Sequence, residues 1–174
     1  MKVVFVELDR CIACLSCEHV CRFEHSRLRK GGAANIFVKV DMDRRRIYTG
    51  TCLQCTPAWC MQVCPVEALS HDPVTSAVIV DKQQCIGCGM CVVACPFGYM
   101  QLDVTMRRAA KCDLCGGNPK CVQVCMAGAL HFDTIDALAA RRHEPGGRRL
   151  GIRAVPSDCV NRNRDKADHG RRAD

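Results

Sequence analysis

The apolar residues of this chain come in short bursts rather than long stripes. Val3-Val4-Phe5-Val6-Glu7-Leu8 reads as a strand. In residues 36–41, Lys39 and Asp41 alternate with Val38 and Val40, and Arg46-Ile47-Tyr48-Thr49 supplies a second such stretch. The two predict a hairpin around Asp41-Met42-Asp43. Ala77-Val78-Ile79-Val80-Asp81 predicts a strand facing Ala68-Leu69-Ser70 across a turn at Pro73. Further strands are expected over residues 99–104 and 130–132. Helical signals are brief, and Cys91-Val92-Val93-Ala94 is good for one or two turns. These elements predict an α+β fold of two βαββαβ-like halves. The opening apolar run meets Glu7, Asp9 and Arg10 before reaching the roughly 7–15 residues of an export signal. No run reaches the about 18 apolar residues that suggest a membrane-crossing helix. A cytoplasmic protein without membrane insertion is therefore expected.

Composition changes the picture. The 174 residues include one Trp, two Tyr and five Phe, but 17 Cys. A core so short of large side chains needs another support, and cysteine is the candidate. In a reducing cytoplasm that support is metal rather than disulfide. Sixteen of the cysteines fall into four runs: Cys11, Cys14, Cys17, Cys21; Cys52, Cys55, Cys60, Cys64; Cys85, Cys88, Cys91, Cys95; and Cys112, Cys115, Cys121, Cys125. Every run opens with C-x2-C and closes with C-x3-C, so the chain carries an internal repeat. Thiolates at x2 intervals line a tight loop and hold three corners of an iron–sulfur cube. The fourth cysteine, often followed by Pro, serves the other cluster of a pair. Pro65 and Pro96 follow Cys64 and Cys95, whereas Arg22 and Met126 occupy the corresponding places in the other two runs.

Structural zinc is the alternative, normally built from two C-x2-C pairs across a longer loop. It would suit a nucleic-acid-binding module with an Arg-rich tail. Four cysteines in so short a span suit cubanes better. No C-x2-C is followed by His, so c-type haem is excluded. Sixteen ligands allow four [4Fe–4S] clusters, and the seventeenth cysteine, Cys159, is not counted as a ligand. The net charge of +7 is partial compensation for clusters of about −2 each, not a nucleic-acid footprint.

The four runs resemble the four-cluster ferredoxin-like electron-transfer subunits of multi-subunit redox enzymes. Cys85-Ile86-Gly87-Cys88-Gly89-Met90-Cys91, Cys95-Pro96-Phe97-Gly98 and Lys111-Cys112-Asp113-Leu114-Cys115 carry the likeness, which covers residues 3–133. Relatives of this kind serve molybdenum and tungsten oxidoreductases, carbon monoxide dehydrogenase and formate hydrogenlyase. The resemblance implies two pseudo-symmetric bacterial-ferredoxin-like halves. It also implies exchanged ligands. One cluster takes Cys11, Cys14, Cys17 and Cys125, and the next takes Cys112, Cys115, Cys121 and Cys21. The third takes Cys52, Cys55, Cys60 and Cys95, and the last takes Cys85, Cys88, Cys91 and Cys64. In that order they form a wire. The outer pair comes from residues 1–30 and 105–133 and the inner pair from 50–104. The implied function is single-electron relay between a catalytic subunit and a soluble acceptor such as a flavin subunit. The favoured catalytic subunit is a tungsten or molybdenum aldehyde or formate enzyme. Carbon monoxide dehydrogenase and hydrogenase are the alternative partners. No residues are left over for substrate chemistry.

Other residues have plainer readings. Trp59 either shields a cluster or packs a core. His19 and His25 flank the first run as surface or supporting groups. Arg44-Arg45-Arg46 is a solvated hairpin turn, and Gly31-Gly32 and Gly116-Gly117 are turn signals. Asp133 or Thr134 caps a short helix that stops at Pro145-Gly146-Gly147. Residues 141–174 hold 10 basic and 5 acidic groups. The segment 134–174 is expected to be an assembly arm, able to bind a partner or a second copy of the chain.

Overall fold

The structure, a computed structural model, describes residues 1–26, 34–103 and 105–143. Gly31-Gly32, Val104, Cys159 and the arm beyond residue 143, with Pro145-Gly146-Gly147, lie outside the described residues.

The described residues form eight short strands and five α-helices. In order they are β1 (Lys2–Val6), α1 (Ser16–Ser26), β2 (Ile36–Asp41), β3 (Arg46–Thr51), α2 (Trp59–Gln62), β4 (Leu69–His71), β5 (Val78–Val80), α3 (Met90–Ala94), β6 (Gln101–Asp103), β7 (Arg108–Ala110), α4 (Lys120–Gln123), β8 (Leu130–Thr134) and α5 (Ile135–His143). The expected α+β class holds. The strands form four separate antiparallel pairs: β1–β8, β2–β3, β4–β5 and β6–β7.

Three pairs are local hairpins. The predicted β2–β3 and β4–β5 hairpins form in the expected places, with Asp41 facing Arg46 and Leu69 facing Val80. The β6–β7 hairpin was not legible. Arg108-Ala109-Ala110 has only a weak strand preference; the turn decides it. Asp103 Oδ1 accepts from Thr105 N and Met106 N at 2.9 and 3.0 Å and folds the chain back on itself. Of the strand expected over 99–104, Gln101–Asp103 form β6, and Tyr99 and Met100 precede it as buried residues. Tyr99 stacks on Phe97 and meets Phe37 at a tilt.

The fourth pair is long-range. In β1–β8, Val4 faces Phe132 and Val6 faces Leu130, so the first of the described strands closes on the last of them. Helix α1 also exceeds the one or two turns expected. It buries Cys17 and Cys21, one turn apart, and Arg22 donates to Glu18 at 3.3 Å along its outer face. Thr134 caps α5, its Oγ1 accepting from Ala137 N at 3.3 Å.

The interior is made of two clusters in which cysteines replace the missing aromatics. One joins Val4, Ile36, Val38, Leu114 and Leu130 to Cys17, Cys21, Cys112 and Cys121. The other joins Leu69, Val78, Met100 and Ala109 to Cys85 and Cys91.

Candidate metal centre

The cysteine repeat is also a backbone repeat. Two residues after the first cysteine of each run the chain enters the left-handed region: Ala13 (φ 54°), Gln54 (φ 51°), Gly87 (φ 72°) and Leu114 (φ 59°). Each C-x2-C therefore bends the same way and turns its two sulfurs toward one point. Three residues after the last cysteine a second left-handed residue follows in three runs: Glu67, Gly98 and Gly128. There the backbone N–H donates back to the cysteine carbonyl at 3.0–3.3 Å. Met126 permits this turn as well as Pro65 and Pro96 do. Run one differs, because Arg22 continues α1 past Cys21 to Ser26.

These loops converge in fours. One hollow is lined by Cys11, Cys14, Cys17 and Cys125. A second is lined by Cys52, Cys55, Cys60 and Cys95, with Trp59, Lys111 and Tyr99. A third is lined by Cys64, Cys85, Cys88 and Cys91. In each, three sulfurs come from one run and the fourth from another. The remaining four sulfurs also meet: Cys121 lies close enough to Cys112, Cys21 and Cys115 for charge on any of them to raise its pKa.

The same mutual influence orders the groups. Cys17 acts on Cys121, Cys52 on Cys112, and Cys60 on Cys91. Each group thus has the next as its neighbour, in the order of the Cys11, Cys112, Cys52 and Cys85 groups. Their end members, Cys14 and Cys88, are the exposed cysteines of the sixteen.

Burial dominates the thiol chemistry. It pushes Cys17, Cys21 and Cys91 up to about 11 and Cys112 up to about 12, and it raises Cys121 too. Hydrogen bonds work the other way. The sulfurs of Cys21, Cys64 and Cys125 accept from the backbone N–H groups of Asn35, Ala68 and Ala129 at 3.2–3.3 Å. Cys85 accepts from Ala109 N at 3.4 Å, and Cys11 shares a hydrogen bond with Thr49 Oγ1 at 3.3 Å. Thiols crowded in fours, several hydrogen-bonded at sulfur and several kept neutral by burial, fit a cationic core with an all-sulfur ligand set. The [4Fe–4S] cube is such a core.

Supporting residues fall mostly where expected. Trp59 is 54% exposed at the rim of the second hollow, so it covers rather than fills. His19 is exposed. His25 Nε2 stands 3.7 Å from Asp113 Oδ1, which accepts from Cys115 N at 2.9 Å. His25 thus braces a thiol loop. Arg44, Arg45 and Arg46 are exposed on the β2–β3 turn, where Arg44 bonds Asp41. Gln54 and Lys111 were missed. The sequence shows Lys111 only as the first residue of a cysteine motif and Gln54 as a spacer, yet both are buried between the second hollow and Cys112.

Residues 44–135 match the 4Fe-4S dicluster domain family. The chain belongs to that family. It binds [4Fe–4S] clusters, and iron rather than zinc is its metal. This member is 38% identical over 127 residues to the polyferredoxin-like subunit of the aliphatic sulfonate oxidoreductase of Pyrococcus furiosus, covering 70% of each chain. It is 28% identical over 160 residues to the iron–sulfur subunit of formate dehydrogenase-O of Escherichia coli K12. That match covers 76% of this chain and about half, 53%, of the other. It is 43% identical over 101 residues to the hydrogenase-2 operon protein HybA of Escherichia coli O157:H7, covering 51% of this chain and 31% of that one. Among the described residues no helix is long and apolar enough to cross a membrane.

Proposed function

We propose that this chain is an electron-transfer subunit that carries four [4Fe–4S] clusters in a line and connects a catalytic oxidoreductase subunit to a soluble acceptor. The ligand sets are Cys11, Cys14, Cys17, Cys125; Cys21, Cys112, Cys115, Cys121; Cys52, Cys55, Cys60, Cys95; and Cys64, Cys85, Cys88, Cys91. The observation that carries the reading is the chain of quartets with an exposed cysteine at each end. Bound there, the clusters supply reversible one-electron chemistry.

The chain's own residues do the rest. Apolar walls from Val6, Val38 and Leu130 keep water from the Cys11 group, and Leu69 and Ala109 do so for the Cys64 group. Backbone N–H groups hold the sulfurs as charge acceptors. Ile12 and Leu15 at one end, and Ile86 and Met90 at the other, are exposed beside Cys14 and Cys88. They give each end an apolar rim against which a partner can seat.

The same reading divides the chain into a four-cluster domain over 1–133 and an assembly arm over 134–174. Within the domain, an outer half is closed by β1–β8 and encloses an inner half, the two related by pseudo-symmetry. A tungsten or molybdenum aldehyde or formate enzyme is the favoured catalytic partner. A hydrogenase or carbon monoxide dehydrogenase is the second choice, and a flavin subunit is the favoured acceptor. A relative named as the iron–sulfur subunit of a formate dehydrogenase supports the first class, and one named as a hydrogenase-2 operon protein supports the second. The thiol-rich composition favours the cytoplasm.

Anaerobic purification from the native host, with iron and sulfide analysis, tests the reading. About 16 irons per chain and a co-purifying metalloenzyme are expected. About eight irons, or a free chain with no partner, would refute it. Truncation after Asp133 tests the arm: iron should stay and the large complex should be lost.

A further inference from the structure

Lys111 is 5% exposed, among the most buried polar residues of the described chain. Its Nζ donates to Gln54 Oε1 at 3.0 Å, to Cys112 O at 2.9 Å and to Val78 O. The Gln54 amide cannot be reversed. Its Nε2 donates to Cys112 O at 2.8 Å, and its Oε1 accepts from Val78 N at 2.9 Å. All three partners of Lys111 are therefore oxygens with no proton to give. Three acceptors require three N–H donors, which an ammonium has and a neutral amine lacks. Lys111 is thus held as a cation by geometry.

Among the described residues no carboxylate pairs with it. A buried unpaired cation is strongly disfavoured unless some other negative charge compensates it. Lys111 borders two hollows, one that also holds Asp103 and Asp113 and one lined by sulfur. It lines the hollow of Cys52, Cys55, Cys60 and Cys95, and its charge favours the thiolates of Cys55 and Cys60. Its own backbone joins it to Cys112 of the next quartet. It stands at the junction of the two interior cluster positions.

We propose that the Lys111 ammonium, fixed by Gln54, Val78 and Cys112, raises the reduction potential of the cluster held by Cys52, Cys55, Cys60 and Cys95. This inference rests on the four-cluster reading above. Adding an electron makes a cluster more negative, and a neighbouring fixed cation favours that state. Lys111 does not ligate; it is a positioning charge that keeps an electron in the interior of the line. A neighbouring opposite charge shifts such an equilibrium by about ten- to a thousandfold, so a change of about a hundredfold is expected. That equals about 120 mV at 59 mV per tenfold for one electron.

The test is a dithionite redox titration of the whole anaerobic protein followed by electron paramagnetic resonance, on Lys111→Met and Gln54→Glu. The signal of interest is the one altered in Cys55→Ser. Lys111→Met removes the charge, and its midpoint should fall by about a hundredfold in equilibrium while the end clusters hold theirs. Gln54→Glu keeps the lysine but sets a carboxylate against it, and should lower the same midpoint. If Lys111→Met fails to fold, Gln54→Glu decides alone. A shift of less than about threefold, or equal shifts in all clusters, overturns the proposal. Iron analysis separates the two claims. About eight irons in the unmodified chain sinks the four-cluster reading, whereas about 16 irons with an unmoved midpoint sinks only the role of Lys111.

Discussion

Gly87 allows the local geometry of a cysteine loop to be tested against its packing. It lies between Cys85 and Cys88 at φ +72°, and a Cβ there would sit 2.0 Å from the carbonyl oxygen of Arg107. Contacts under 3.0 Å are not sustained, so the loop and the β6–β7 turn must separate by at least 1 Å. Gly89, in the same loop at φ +79°, has nothing within 4 Å of its Cβ position. Gly89→Ala therefore meets only backbone strain, about 1–2 kcal/mol. Gly87→Ala meets the same strain plus an overpacking cost of about 1–3 kcal/mol, together about 2–5 kcal/mol. For a chain of this length each kcal/mol lowers Tm by about 2–4 °C. Gly87→Ala should then unfold about 4–20 °C earlier and Gly89→Ala about 2–8 °C earlier. The displacement also pulls Ala109 N from Cys85 Sγ, a 3.4 Å bond. Gly87→Ala should therefore lose iron from one cluster. Anaerobic thermal bleaching of the iron–sulfur absorbance, with iron per chain measured beforehand, reads both effects. Equal losses in the two variants would refute the argument, because strain without the Arg107 contact would then explain everything.

Ligand exchange predicts that Cys11→Ser and Cys125→Ser alter the same paramagnetic signal, while Cys125→Ser leaves the signal sensitive to Cys115→Ser intact. Pairing of ligands within single runs would give the opposite pattern. Reconstitution should depend on pH with a definite sign. Burial raises the folded thiols to about 11–12. The protonated fold is thus favoured below the ordinary 9.0 and loses that advantage as pH rises through 11–12. Ligation must expel those protons, so iron uptake should strengthen steadily between about pH 7 and 9, as a titration of bound iron would show. Ile36 is 1% exposed in the outer core, and Ile36→Ala should cost about 2–5 kcal/mol by denaturant unfolding. Thr134→Ala should fray α5 for about 1 kcal/mol, seen as faster hydrogen exchange at Ala137 with iron content unchanged.

The cysteine spacing alone determined the cofactor chemistry, because the bite of a C-x2-C loop depends on a few neighbouring residues. Local alternation likewise placed β2–β3 and β4–β5, whose partners are close in sequence. What the spacing could not settle was where each fourth sulfur goes. Cys125 reaches the Cys11 group only because β1 pairs with β8, a contact between the two ends of the domain. Family likeness suggested that exchange, but nothing in the run itself encodes it. The β6–β7 hairpin escaped notice because Asp103's turn bonds override the weak strand preference of Arg108-Ala109-Ala110. Helix α1 outran its signal because the burial of Cys17 and Cys21 against β2 carries it. Lys111 shows the limit most clearly. Read along the chain it is one more surface cation, since lysine is almost always exposed. Only when Gln54, Val78 and Cys112 converge from three segments do its three N–H donors find partners. Its charge is then left beside the sulfurs.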